Sequence, residues 1–161
     1  MKTLLLFDSY FGNTEKIARA IAKAFENDFN FQIKRNNEAT AEELSTYDLL
    51  IVGSPTRGFQ PTEDVAKLIK SVKSNTLTNV KVAAFDTRVT LDSIHSKLLK
   101  GMVHMGGYAA KPIANRLSKK GATSVIAPEG FFVMDTEGPL KEGELERAEA
   151  WGKQIIQVAS A

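Results

Sequence analysis

Apolar positions along this chain fall into two alternating patterns. Short, mostly apolar runs at residues 3–7, 48–53 and 80–85 read as strands buried on both faces. Residues 14–26 instead place Ile17, Ala20, Ile21, Ala24 and Phe25 on one helical face, with Lys16, Arg19 and Lys23 largely opposite. Residues 31–34 alternate and predict an edge strand, and residues 41–44 a short helical turn. Pro55, Gly58 and Pro61 mark residues 54–62 as a loop. Thr62, Glu63 and Asp64 then open a helix reaching about Val72. Leu91, Ile94, Leu98 and Met102 recur at helical spacing up to Gly106 and Gly107. Residues 108–120 predict another helix, with Pro112 in its first turn and Gly121 closing it. Residues 124–127 and 131–134 supply a last strand, interrupted at 128–130. The closing helix spans 140–158: Ala148, Trp151 and Ile155 form its core face, and Glu142, Glu144, Glu146 and Glu149 a solvated one.

Strands and helices alternate throughout, which predicts an α/β fold. Its form is a three-layer sandwich, a five-stranded parallel sheet in the order 2-1-3-4-5 with helices on both faces. Residues 1–161 read as one domain, without repeat, low-complexity segment or linker. In that order the ligand site lies at the carboxyl ends of strands one and three. The loops at 9–14 and 54–62 occupy that point.

Composition narrows the chemistry. The 161 residues include no cysteine, which removes disulfides, iron–sulfur clusters and thiol catalysis and fits a reducing cytoplasm. His95 and His104 are the two histidines, and no cluster has metal-ligand spacing. No general acid or nucleophile stands out, so no catalytic residue is expected. A net charge of +2 and the lack of a basic stripe with interleaved aromatics argue against nucleic acid. No apolar run approaches membrane-spanning length, and the run after Lys2 is too short for a signal peptide.

The sharpest candidate site is Ser9-Tyr10-Phe11-Gly12-Asn13-Thr14, between a buried strand and an amphipathic helix. A helix N-terminus carries unpaired N–H groups and partial positive charge, so a hydroxyl-rich loop there binds phosphate without a lysine. The plainer reading is a helix cap, with Glu15 serving the first turn. A cap alone does not call for a whole hydroxyl-Gly-Asn-Thr loop after a buried strand.

This loop resembles the phosphate loop of flavodoxins, in which hydroxyl-x-hydroxyl-Gly-x-Thr wraps the phosphate of FMN. Ser9, Gly12, Asn13 and Thr14 match, while Phe11 replaces the middle hydroxyl. The resemblance thus implies FMN held with one side-chain hydrogen bond missing, a loss of about 1.5–3 kcal/mol. It also implies that Pro55, Thr56, Arg57, Gly58 and Phe59 flank the flavin ring, with Phe59 stacking and Arg57 bringing positive charge. The plain alternatives are an aromatic in a turn and a solvated loop charge. Asp86, Thr87 and Arg88 would form the other flavin-side loop, with Asp86 and Thr87 at the pyrimidine edge. No aromatic follows there to stack on the ring. Either residues 89–107 form a lid, with His104 or Tyr108 standing in, or that helix packs on the sheet or on another chain.

The resemblance implies an FMN-binding electron-transfer protein, a monomer or weak homodimer, serving a redox partner protein or a small-molecule electron acceptor. Flavodoxin-like shuttles are typically strongly acidic, and this chain is not. The Ser54-Pro55-Thr56-Arg57 stretch also looks like the matching loop of FMN-dependent NAD(P)H:quinone oxidoreductases, the enzyme alternative. A flavodoxin-like domain that has lost its cofactor is the third reading. A phosphorylated receiver is excluded: Asp8 is a single acid, strand three ends Gly53-Ser54-Pro55, and the last strand has no clear lysine.

Overall fold

The computed structural model describes residues 1–90, 97–98, 101 and 107–161. Four strands run parallel: β1 (Thr3–Phe7), β2 (Phe31–Arg35), β3 (Leu49–Pro55) and β4 (Lys81–Val89). Two more, the two-residue β5 (Thr123–Ser124) and β6 (Glu129–Val133), both pair with β4, in parallel. The order is β2-β1-β3-β4-β5, with β6 continuing β5's side of β4, so the predicted 2-1-3-4-5 sheet is present with its fifth position split. The helices are α1 (Asn13–Ala22), α2 (Ala41–Leu44), α3 (Glu63–Ser71), α4 (Ala110–Ser118) and α5 (Glu144–Ser160).

Because alternate strand residues face opposite ways, the two faces of the sheet carry separate cores. Leu4, Leu6, Leu50 and Val52 pack with Val65 and Ile69 of α3 and Ile113 and Leu117 of α4. Leu5, Phe7, Ile51 and Phe85 pack with Ile17 and Ile21 of α1 and Trp151 and Ile155 of α5. Phe85, Phe131 and Trp151 meet edge to face, each pair with centroids 6.1 Å apart. Full burial of such a side chain stabilises by about 1.5–3 kcal/mol, so this trio is a main anchor of α5 on the sheet. Helix starts follow the sequence cues: Thr62 Oγ1 accepts from the Val65 amide, and Thr40 from Glu43.

Three expectations need correction. Asp86, Thr87 and Arg88 are not a loop but the last part of β4, paired to Ser54 and Pro55 on one side and to Gly130, Phe131 and Phe132 on the other. Ladder partners on both edges outweigh the polar side chains. Glu144 is not on a solvated face; it is 6% exposed, accepting the Phe132 amide at 2.7 Å and pairing with Arg147. The closing helix begins at Glu144, since Leu140 forms an antiparallel bridge with Val133. Of the helix expected over 91–102, Lys97, Leu98 and Gly101 are described and helical. Leu91, Ile94, Met102 and His104 lie outside the described residues.

Candidate functional site

Strand β1 delivers the chain to the first loop at the carboxyl edge of the sheet. Gly12 there adopts φ +86°, a left-handed turn that swings the backbone into α1. Ser9 Oγ accepts from the amides of Gly12 (3.1 Å) and Glu15 (3.4 Å), which leaves its O–H free to donate. The amides of Asn13 and Thr14, in the first turn of α1, have no intrahelical acceptor. Thr14 is buried, and its hydroxyl lies 2.8 Å from that of Thr87, which ties the helix start to β4.

The second wall is a hairpin. Arg57 and Gln60 exchange backbone hydrogen bonds at 2.9 and 3.0 Å. Between them Gly58 and Phe59 have φ +51° and +66°, the two positive angles of a type I′ turn. Thr56 donates its amide to the Thr87 carbonyl at 2.9 Å, fastening this wall to β4. The Arg57 guanidinium sits 5.1 Å from the Tyr10 ring centroid and so bridges the two loops.

Between these walls lies a cleft of about 360 Å³. Ser9, Tyr10, Phe11, Asn13 and Thr14 line one side, Pro55, Thr56, Arg57 and Gly58 another, and Thr87 and Arg88 a third. Eleven of the fourteen predicted residues therefore meet in one place. Gly12, Phe59 and Asp86 do not line it. Gly12 shapes the loop, and Phe59 occupies the hairpin tip. Asp86 is fully buried, where Arg88 binds it through Nε (2.6 Å) and Nη2 (2.7 Å). Its second partner is the Ala110 amide at 2.8 Å, while Thr56 Oγ1 accepts the Ala109 amide at 3.1 Å. Helix α4 has no cap of its own, so Asp86 and Thr56 serve its N-terminus from the strand ends. Burial pushes the Asp86 carboxyl above its ordinary value, against the pull of Arg88.

Sequence reasoning missed Val89, Val133 and Thr136, which complete the lining. The turn after β6 reaches the first loop through Asn13 Nδ2, which donates to the Glu137 carbonyl at 3.0 Å. A Cβ on Gly138 would come within 2.8 Å of that Asn13 amide, so the glycine admits the contact. Arg35, also missed, donates to Glu15 at 2.5 Å and to the Ser9 carbonyl at 3.5 Å from behind the loop. Local spacing carried no signal for these long-range contacts. Tyr108 does not line the cleft; its ring lies 3.8 Å from the Arg88 guanidinium, on the side away from it.

This donor set suits a phosphomonoester at one end and a flat ring system along the two walls, as a mononucleotide-binding doubly wound protein requires. The flavodoxin family model matches residues 5–151. The chain therefore belongs to the flavodoxin family. It is 32% identical over 119 residues to a flavodoxin of Maridesulfovibrio salexigens, spanning 65% of this chain and 82% of that one. Among solved structures, a flavodoxin from the domain Archaea superposes with a TM-score of 0.76 at 21% identity over the whole of both chains. Oxidised flavodoxin 1 of Bacillus cereus gives 0.75 at 20% identity over 98% of each. At those identities the structural likeness speaks for the fold alone.

Proposed function

We propose that the chain holds FMN in this cleft and works as an electron carrier. The supporting observation is the pairing of a hydroxyl-lined helix N-terminus with the facing 55–58 hairpin in a chain of this family. Ser9, Asn13 and Thr14, with the first amides of α1, are the phosphate ligands. Pro55, Thr56, Arg57 and Gly58 flank the ring on one side, and Thr87, Arg88 and Val89 on the other. FMN supplies the redox chemistry when bound; the protein supplies orientation, exclusion of water and tuning of the flavin by nearby charge. Arg57 favours a ring that has gained negative charge, whereas the charge of Arg88 is offset by Asp86.

Calorimetric titration of the flavin-free chain with FMN and with riboflavin tests this reading. FMN binding at least about tenfold tighter, 1.4 kcal/mol, is expected from charge-assisted bonds to the phosphate. Equal affinity would remove the phosphate from α1. Rapid NAD(P)H oxidation by the FMN-loaded protein with menadione would replace the carrier reading with the reductase one.

A further inference from the structure

On the other side of the sheet from α1 and α5, helices α3 and α4 flank a groove of about 490 Å³ that flavin binding does not use. Lys67, Lys70, Arg116, Lys119 and Lys120 line it against a single acid, Glu63. That is five of the chain's 21 basic residues and one of its 19 acidic ones, so charge that nearly cancels over the chain is strongly uneven here. Lys120 Nζ is held by the carbonyls of Lys70 (3.2 Å) and Val72 (2.5 Å), where it closes the end of α3. Lys67 faces Glu63 at 3.3 Å, an exposed pair that water screens. The ammonium groups of Lys70 and Lys119 have no ion pair or hydrogen bond among the described residues. Ala66 and the aliphatic stems of the lysines add apolar surface above the buried Ile69, and no aromatic side chain lines the groove.

The groove is also connected to the cleft. Arg116 Nη2 donates to Gln60 Oε1 at 2.9 Å, and Gln60 is the backbone partner of Arg57 in the hairpin that walls the cleft. A partner seated on α3 and α4 therefore contacts Arg116, whose side chain holds the hairpin that walls the cleft.

We propose that this groove docks an acidic, partly apolar segment of the protein with which the chain exchanges electrons. The charge imbalance selects carboxylates and steers their approach, while Ala66 and the aliphatic stems of the lysines give a short apolar contact. A single-stranded nucleic acid would need a longer cationic track and aromatic stacking platforms, which the groove lacks. Calling the partner a redox protein rests on the carrier reading above; the acidity of the segment rests on the groove alone.

The test uses the full, FMN-loaded, 15N-labelled chain and a short synthetic peptide of Glu and Asp with interspersed Leu. Titration should shift the amides of Ala66, Lys70, Lys119 and Gln60. Affinity should fall at least about tenfold in Lys70→Glu/Lys119→Glu and between low and physiological salt. The milder Lys70→Gln/Lys119→Gln should lose less, and both variants should keep wild-type FMN affinity. Unchanged peptide affinity in both variants, or shifts scattered over the surface, would overturn the proposal. Tighter binding of an oligonucleotide of equal charge at the same amides would overturn it in favour of nucleic acid. Should the wild type bind no FMN, the cleft reading fails separately, and the same titration on the flavin-free chain still decides the groove.

Discussion

Phe11 presents a ring, 47% exposed, where a hydroxyl would complete the anion loop. Phe11 already lines the cleft, so a side-chain hydroxyl at this position would reach it. Phe11→Thr should tighten FMN by about tenfold or more, the worth of one hydrogen bond to a charged group, while riboflavin affinity stays put. Parallel calorimetric titrations of the two ligands read that difference. Arg88 behaves otherwise, because its partner is fully buried. Arg88→Met strands the Asp86 carboxylate and should cost about 3–5 kcal/mol in urea unfolding, part of which Asp86→Asn in the same chain restores. At this scale the sequence is readable where residues close in the chain also meet in space. Ser9, Asn13 and Thr14 stand within six residues and share one cleft. Asp86 was misread because its partners include the amide of Ala110, 24 residues away, and nothing near Asp86 signals a helix waiting to be capped.

Helix α1 fell where the 3.6-residue period put it, and α3 where the period and its capping Thr62 did, because each buries one stripe and exposes the rest. β4 was harder. Its apolar run stops at Phe85, yet the strand continues to Val89, because its edges are paired on both sides by strands distant in sequence. Polarity alone suggested a loop; hydrogen-bond demand on a central strand decided otherwise. β3 and β4 also meet at one crowded point. A Cβ on Gly53 would overlap the ring of Phe85, which Phe131 and Trp151 hold in place. Gly53→Ala should therefore lower stability by about 1–3 kcal/mol, as overpacking of a filled core does, and thermal unfolding followed by Trp151 fluorescence measures it.

Over the whole molecule, ion pairs on the cleft side and on the β2 edge contribute to the response to acid. Glu15 is held below its ordinary value by the hydrogen bond from Arg19 and by Arg35, and Glu43 by the hydrogen bond from Lys34. Folded values lower than unfolded ones mean the stabilisation is complete above the ordinary glutamate value of 4.5 and is lost as pH falls through the folded values. The gap in denaturation midpoint between wild type and Glu43→Gln should thus be open at neutral pH and close in acid. A gap unchanged across that range would dissociate the pair from acid stability. Both carboxylates stand in partly exposed pairs, so the effect is modest. The split fifth position of the sheet carries a different consequence. β5 and β6 each have their own ladder to β4, and Ala127 and Pro128 between them are exposed. Extra chain spliced between those two residues would break neither ladder, and it would emerge at the margin of the sheet. The fold thus offers a place where descendants of this sequence can grow longer, or an engineer can graft a second module, without re-registering a strand.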